Sequence, residues 1–187
     1  MSDSTDQNSR PNVLFIITDQ HRADHLGCYG NPLVRTPAID AVARRGRRWE
    51  RLHVANPICM PNRSTLMTGR MPTAHGVIMN DRSLDWGANT YVKSMRREGY
   101  RTGLFGKSHL QHGMSRNSVL EVDREPATSD PWPAGWDRYE HYEIYDDGNP
   151  EWPHDFYGFD HVELAIDHGA RVTGHHMNWA LERGATY

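Results

Sequence analysis

A run of seven residues near the amino terminus places the strongest constraint on the fold. Residues 12–18 (NVLFIIT) are almost entirely apolar and rich in β-branched side chains. Such a run is typical of a strand buried on both faces of a parallel sheet. It ends at Asp19-Gln20, and ligands bind at the carboxyl edge of open α/β sheets. The sequence therefore predicts an α/β fold with polar residues at one sheet edge.

Signals for helix and strand boundaries alternate along the rest of the chain. Thr36 and Thr90 are helix-capping residues, Gly69 is a helix-ending residue, and Ile39 and Val42 form an apolar stripe facing a core. Helices are predicted over residues 36–46, 61–68, 90–99 and 167–183, and strands over residues 100–105 and 159–164. This alternation predicts an α/β sandwich in which helices flank a mostly parallel central sheet.

Two segments do not fit this alternation. Residues 1–11 are polar and are predicted to form a disordered tail ahead of a domain at residues 12–187. Residues 115–153 contain five prolines and three tryptophans and are predicted to form a long irregular loop. Trp132, Trp136 and Trp152 either line an aryl-accepting pocket or hold that loop in place.

Composition narrows the classes of partner. The net charge is −3, so no basic excess indicates nucleic acid or an anionic membrane surface. We find no apolar segment long enough to span a bilayer, and no signal-peptide pattern. With only two cysteines, the sequence does not predict a disulfide framework. We therefore expect a cytoplasmic protein without a nucleic-acid or membrane partner; its oligomeric state stays open.

The strongest chemical motif is Cys-x-Pro-x-Arg at residues 59–63, followed by Thr-Gly-Arg at residues 68–70. Pro61 favours a helix start just after Cys59, so that this residue would lie near unpaired N–H groups and the positive helix end. Such a place favours an anionic ester and a developing negative charge. The alternative is that Cys59 is a small buried apolar residue, as lone cysteines usually are.

This motif resembles the signature of the sulfatase family. The resemblance implies that a dedicated maturation enzyme oxidises Cys59 to formylglycine, whose aldehyde hydrates to a geminal diol. One hydroxyl attacks sulfur, and the other later loses its proton and expels sulfate, which divides the reaction into two easier steps. Arg63, on the same helical turn, would hold the diol.

Asp19 and Gln20 are candidate metal ligands, because hard divalent cations prefer carboxylate and carbonyl oxygens. Otherwise, an Asp after a strand forms a turn or caps a helix. The family resemblance implies a divalent cation held by Asp19, Gln20 and the modified Cys59, with Ca²⁺ as the usual ion and Mn²⁺ or Mg²⁺ as alternatives. Sulfatases usually carry Asp-Asp at this place, whereas phosphonate monoester hydrolases are relatives with Asp-Gln.

A second signature consists of Gly-Tyr-Arg-Thr at residues 99–102 and Gly-Lys-Ser-His at residues 106–109. It is similar to a sulfatase pattern in which the lysine binds sulfate oxygens and the histidine contacts the diol. Lys107 and His109 would take these roles, although a lysine at a strand end can also be a solvated surface charge. Phosphonate monoester hydrolases carry Tyr and Thr at these two places, so this pair favours a sulfatase.

Asn80, Lys107 and His175 are predicted to bind substrate. For Asn80, hydrogen bonding within a loop is the alternative. Sulfatases use one further histidine to protonate the leaving oxygen, and His175 or His176 is the candidate. Adjacent residues point about 100° apart on a helix, so at most one of the two faces a given pocket. Either histidine could equally be structural or exposed.

The sequence thus predicts a sulfuric ester hydrolase of the arylsulfatase type that acts on a small-molecule sulfate ester. The alternatives are a phosphonate or phosphate monoester hydrolase of the same superfamily and a truncated, non-catalytic remnant. The resemblance implies an alkaline-phosphatase-like fold that is incomplete at its carboxyl-terminal side, because the family's other metal ligands and a second lysine belong to its later half. We therefore expect weak metal binding and low turnover from this chain alone.

Overall fold

The computed structural model describes residues 10–80, 82–113, 132–153 and 155–186. The chain divides into two compact units, Met1–Leu52 and His53–Tyr187. Among the described residues, no helix has both the length and the apolar composition that crossing a membrane requires.

The first unit is organised around the carboxylate of Asp40. Its helix α1, Pro37–Arg45, follows two short 3-10 turns, Ala23–His25 and Gly27–Tyr29. Asp40 Oδ1 accepts hydrogen bonds from the backbone N–H of Cys28 at 2.7 Å and from the Thr36 hydroxyl at 2.9 Å. The helix predicted over residues 36–46 is confirmed, and polar contacts hold it to the preceding turn.

The buried strand predicted over residues 12–18 is wrong for the described chain. This segment forms no ladder, and its apolar side chains are exposed, with Leu14 at 83% and Ile16 at 76%. A strand of a parallel sheet needs neighbouring strands for its backbone and helices for its faces, and residues 10–52 contain no strand. For the same reason the stripe on α1 is not a core face: Ile39 and Val42 are 41% and 64% exposed.

The second unit contains a short parallel sheet. Strands β1, Gly103–Gly106, and β2, His161–Leu164, pair in register from Gly103 opposite His161 to Gly106 opposite Leu164. Val162 and Leu164 are buried on one face, whereas Phe105 on β1 is 69% exposed. Both predicted strands are confirmed, with tighter bounds than residues 100–105 and 159–164, and their parallel pairing agrees with the predicted mostly parallel sheet.

Four helices accompany this sheet in the described part of the second unit: α2, Cys59–Thr68; α3, Pro72–His75; α4, Tyr91–Arg97; and α5, His175–Glu182. Helix α2 ends at Gly69, whose φ of +66° is the left-handed conformation that favours glycine. Thr90 caps α4 by accepting the Lys93 N–H at 3.1 Å. The predicted helix end at Gly69 and the predicted helix cap at Thr90 are both confirmed.

The helix predicted over residues 167–183 starts later than expected. Gly174, with a φ of +83°, precedes α5, and residues Gly169–Arg171 form a 3-10 turn. Ile166 and Thr173 pair as an antiparallel bridge through two backbone hydrogen bonds of 3.0–3.1 Å. A bridge and a helix cannot share the same backbone groups, so residues 167–173 form a loop that begins just after β2.

The second unit has its own hydrophobic core. Two hydrogen bonds join its centre: the Tyr157 hydroxyl donates to the Leu84 carbonyl, and the Thr90 hydroxyl donates to the Tyr157 carbonyl, both at 2.7 Å. The buried apolar residues are Met60, Met67, Val77, Leu84, Val92, Leu110, Tyr145, Phe156, Tyr157, Phe159, Val162, Leu164 and Ile166.

Part of the predicted irregular loop at residues 115–153 lies outside the described residues. Its described part, from residue 132, contains a 3-10 turn at Tyr142–Tyr145 and packs through aromatic rings. Trp136 contacts Trp86 with ring centroids 6.3 Å apart, and Trp152 contacts Phe156 at 4.9 Å. For these two tryptophans, the contacts favour a role in holding the segment in place.

Candidate active site

Cys59 is the first residue of α2 and is half-buried, in agreement with the predicted helix start beside it. The following N–H, of Met60, donates to Asn80 Oδ1 at 2.9 Å. Pro61 lies in the first turn, where its missing N–H needs no helical partner. The helix start therefore gives residue 59 a positive electrostatic environment, which suits an anionic ester.

Arg63 connects this helix to the end of β1. It is 9% exposed, and its Nη1 donates to the carbonyl oxygen of Lys107 at 2.7 Å. Two motifs that lie 44 residues apart in the chain are therefore in direct contact through a buried cation. Arg63 thus has a structural contact in addition to the predicted contact with the modified side chain.

Lys107 and His109 lie on the segment that leaves β1. This segment turns twice through left-handed backbone, at Gly106 with a φ of +104° and at His109 with a φ of +53°. Glycine adopts that conformation readily, whereas a residue with a side chain does so at a cost and only where its surroundings hold it there. Something must therefore hold the backbone of His109.

Glu140 holds it. Its Oε2 accepts the N–H of His109 at 2.7 Å, and its Oε1 accepts those of Leu110 and Gln111 at 2.8 and 3.0 Å. Glu140 is 2% exposed, and its burial raises the pKa of its carboxyl group, while these three N–H donors act in the opposite direction by stabilising the carboxylate. We call this arrangement the Glu140 clamp.

Two further side chains tie the same segment to residues 136–141. The Gln111 amide donates to the Trp136 carbonyl and accepts the Tyr139 N–H, both at 2.9 Å. His112 Nε2 lies 2.8 Å from Asp137 Oδ2, and this hydrogen bond keeps the pKa of Asp137 below its ordinary value. Contacts from the irregular loop therefore fix the position of the second sulfatase-like motif.

A small cavity of about 70 Å³ lies beside this segment. Lys107, His109, Glu140, Ile166 and His168 are among the residues that line it. Its lining combines the Lys107 and His168 side chains with the buried Glu140, so polar and charged groups face a bound group there.

His168 is a functional candidate that the sequence interpretation missed. Its Nε2 lies 2.5 Å from Lys107 Nζ, and one of its ring nitrogens lies within 4.8 Å of Cys59 Sγ. Lys107 follows β1 directly and His168 follows β2 closely, so both belong to the carboxyl edge of one parallel sheet. The position of His168 just after a predicted strand could have indicated this role. The sequence interpretation instead assigned residue 168 to a helix predicted over residues 167–183.

The other predicted substrate-binding residues have structural contacts. Asn80 supports the start of α2, as described above. His175 Nε2 accepts the Trp152 indole N–H at 2.8 Å, and its ring packs on Tyr145 at 5.2 Å. Burial lowers the pKa of His175, which favours the neutral ring that this bond requires. His175 is not among the residues that line the cavity beside Lys107; His176 is exposed and stacks on Trp179.

Asp19 and Gln20 belong to the first unit, whereas Cys59 belongs to the second. Within its own unit, Gln20 has a φ of +40°, so the chain turns sharply at the end of the extended segment. The two residues supply one carboxylate and one amide oxygen, a donor set that fits a hard divalent cation.

The sulfatase family model matches residues 11–176 of the chain. The chain belongs to the sulfatase family. Membership implies, for a full sulfatase domain, a divalent metal and a formylglycine nucleophile.

Relatives and solved structures agree with this assignment. The chain is 33% identical over 148 residues to an ulvan-active sulfatase of Formosa agariphila, a match that covers 78% of the chain and 29% of that protein. It resembles the structure of BT4656 in complex with its substrate D-glucosamine-2-N,6-O-disulfate, with a TM-score of 0.53 and 33% identity over 54% of this chain and 20% of the other.

The phosphonate monoester hydrolase of Agrobacterium radiobacter is a further structural neighbour. It has a TM-score of 0.62 and 28% identity over 94% of this chain and 29% of the hydrolase. The predicted alkaline-phosphatase-like architecture is therefore confirmed for this part of a sulfatase domain. The chain spans less than a third of the length of these three proteins.

Proposed function

We propose that this sulfatase-family chain supplies the nucleophile and sulfate-binding part of a sulfuric ester hydrolase. In the reaction the S–O bond of R–O–SO₃⁻ breaks, and water supplies the atoms that complete the alcohol and the sulfate ion. The observation that carries the proposal is the convergence of the two motifs. His168 lies close to Cys59 Sγ and contacts the Lys107 ammonium, while Arg63 on the helix of Cys59 binds the Lys107 carbonyl.

The charges near Cys59 suit a sulfate monoester, which carries one negative charge. The helix start and the Lys107 ammonium both favour anionic oxygens beside residue 59. Arg63 and His109 complete the proposed catalytic group, Arg63 by holding the modified residue 59 and His109 by contacting its hydroxyl groups. The cavity that Lys107 and His109 line supports a place for the sulfo group beside these two residues.

Residue 59 requires oxidation before it can act in this way. We propose that a formylglycine-generating maturation enzyme recognises residues 59–63 and converts Cys59. Asp19, Gln20 and the modified residue 59 would hold a divalent cation, with Ca²⁺ as the first choice. That cation would polarise the sulfate oxygens.

The names of the similar proteins suggest which substrates to assay. One neighbour binds a disulfated glucosamine, and one relative is ulvan-active. We therefore propose a small sulfate ester as substrate, with an aryl sulfate as the general probe and a 6-O-sulfated glucosamine as the second.

Sulfate release tests the proposal. The full chain is produced with the maturation enzyme, supplied with Ca²⁺, and compared with Cys59→Ala on an aryl sulfate. We expect sulfate release above background that disappears in Cys59→Ala. Equal release by both proteins would exclude Cys59 as the nucleophile, and no release by either would contradict the proposed activity of this chain.

Phosphonate monoester hydrolysis is the second candidate function. The Asp19-Gln20 pair and the structural neighbour that covers nearly the whole chain favour it. The test is the ratio of aryl sulfate to phosphonate monoester turnover, with Lys107→Met as the variant. If sulfate is the substrate, the variant lowers sulfate turnover more than phosphonate turnover; a wild-type preference for the phosphonate would favour the second candidate.

A further inference from the structure

The contacts of His168 determine which of its ring nitrogens carries the proton. Lys107 Nζ is an ammonium group, which can only donate, so Nε2 of His168 must accept. On the opposite side of the ring, Nδ1 lies 2.9 Å from Asp167 Oδ1, a carboxylate oxygen that can only accept. The ring therefore carries its proton on Nδ1 and presents a lone pair to the lysine.

Asp167 is itself held in place. Its φ is +70°, and its side chain is only 16% exposed. The bridge between Ile166 and Thr173 closes the base of its loop, and Arg171 Nε lies 3.8 Å from the second carboxylate oxygen. The low exposure of the side chain, the closed loop base and the nearby Arg171 together restrict the position of the carboxylate that orients His168.

We propose that His168, oriented by Asp167, is a positioning residue for Lys107. Nε2 of His168 directs one of the three ammonium N–H groups, which fixes the directions of the other two. A ring nitrogen of His168 also lies within 4.8 Å of Cys59 Sγ, so the histidine that contacts the ammonium is itself close to the nucleophile. The inference rests on the proposed function, since it assumes that Lys107 binds the sulfo group.

The arrangement separates two tasks. Arg63 holds the backbone of the segment through the Lys107 carbonyl, whereas His168 holds the end of the side chain. Lysine has a flexible stem and loses several rotamers when it is fixed. A second contact at the ammonium provides the orientation that the backbone contact alone cannot give.

Two pairs of variants test this proposal. Gln at position 168 can place an acceptor oxygen near the position of Nε2, whereas Ala removes it, so His168→Gln is the conservative partner of His168→Ala. At position 167, Asn keeps an acceptor and tolerates the left-handed backbone, whereas Gly keeps the backbone and removes the side chain. The His168 side chain is 46% exposed, so the two changes at position 168 should leave the fold intact.

The first readout does not depend on turnover. Long-range ¹H–¹⁵N spectra of the full chain labelled in histidine, assigned with His168→Ala and with His176→Ala as control, should show His168 protonated on Nδ1. Asp167→Gly should shift the proton toward Nε2, and Asp167→Asn should do so less. In lysine-labelled protein, His168→Ala should move the Lys107 ammonium and Cε signals. A wild-type His168 protonated on Nε2, or Lys107 signals unaffected by His168→Ala, would overturn the proposal.

The second readout is aryl sulfate turnover. We expect His168→Ala to lower kcat by roughly 10- to 100-fold with a smaller change in KM, because a misplaced catalytic group acts mainly on the transition state. His168→Gln should retain most of the activity; equal loss in both variants would contradict the positioning role. If wild-type protein releases no sulfate, the proposed function fails. The tautomer of His168 and the Lys107 signals would then still show whether His168 contacts Lys107.

Discussion

Helices α1 and α2 are similar in length but differ in what surrounds them. None of the residues of α1 is buried, whereas α2 buries Met60, Pro61, Arg63, Ser64 and Met67. The sequence of α1 has the clearer apolar stripe, yet only α2 packs on a core. An apolar stripe predicts the face that a helix can bury, and burial itself requires a partner surface within the same unit.

This difference extends to the two units. The described residues of the first unit, 10–52, contain no buried residue, and its helix is held by polar contacts to Asp40. The second unit has a hydrophobic core and the Glu140 clamp. We therefore expect substitutions in the second unit to affect stability far more than matched substitutions in the first.

The largest effect is expected at the Glu140 clamp. Glu140→Gln replaces one acceptor oxygen by an N–H₂ group that faces backbone N–H donors, so we expect a loss of about 3 kcal/mol in the free energy of unfolding. The measurement is urea denaturation followed by tryptophan fluorescence. The matched control is Glu50→Gln in the first unit, where an exposed pair with Arg48 should contribute no more than about 0.5 kcal/mol. Equal losses of unfolding free energy in the two variants would show that the second unit is no more sensitive to substitution than the first.

Truncation of an apolar side chain compares the two helices directly. Met60 is fully buried in α2, so Met60→Ala should cost about 2–4 kcal/mol. Val42 on α1 is 64% exposed, and Val42→Ala should change the free energy of unfolding by less than about 0.5 kcal/mol. Both values come from the same urea titration. A cost above about 1.5 kcal/mol for Val42→Ala would show that α1 buries its apolar stripe after all.

A smaller effect is expected at the start of α2. Asn80→Ala removes the acceptor of the Met60 N–H and should destabilise the protein by about 1 kcal/mol. Asn80→Asp keeps an acceptor next to the positive helix end and should retain the wild-type stability. If Asn80 also binds substrate, Asn80→Asp should raise KM for an aryl sulfate through repulsion of the anion. An unchanged KM would leave Asn80 with the structural role alone.

The smallest effect concerns pH. Burial lowers the pKa of His75 and of His175 below 6.5 in the folded protein. Below about pH 6.5 these two histidines therefore bind more protons in the unfolded chain than in the folded protein. Their contribution to stability is fully present above this pH and is lost as the pH falls. The urea midpoint should decrease in acid, and His175→Gln should make this decrease shallower. A variant with the wild-type pH dependence would show that His175 contributes nothing to it.

The sequence predicted much of the local structure around the site, because its signals are local. Cys59 at a helix start, the helix end at Gly69 and the cap at Thr90 depend on neighbouring residues, and all three are confirmed. The apolar run of residues 12–18 was misinterpreted because the pattern of a strand does not include the neighbouring strands that it needs.

The Glu140 clamp and His168 could not be found in the same way. Glu140 lies 31 residues from His109 within a segment without regular periodicity, and its role depends on a backbone turn that no motif encodes. His168 follows a strand that was predicted, but the loop around it depends on the bridge between Ile166 and Thr173. Long-range contacts of irregular segments thus determine how the motif residues are held.

If Cys59 becomes the nucleophile of a sulfatase, the peptide around residue 59 must change its mass. The full chain is expressed with the maturation enzyme, digested and compared with Cys59→Ala by mass spectrometry. Replacement of the thiol sulfur by an aldehyde oxygen with loss of two hydrogens should lower the mass of the wild-type peptide by about 18 Da. An unmodified cysteine in the presence of an active maturation enzyme would exclude Cys59 as the precursor of a formylglycine nucleophile.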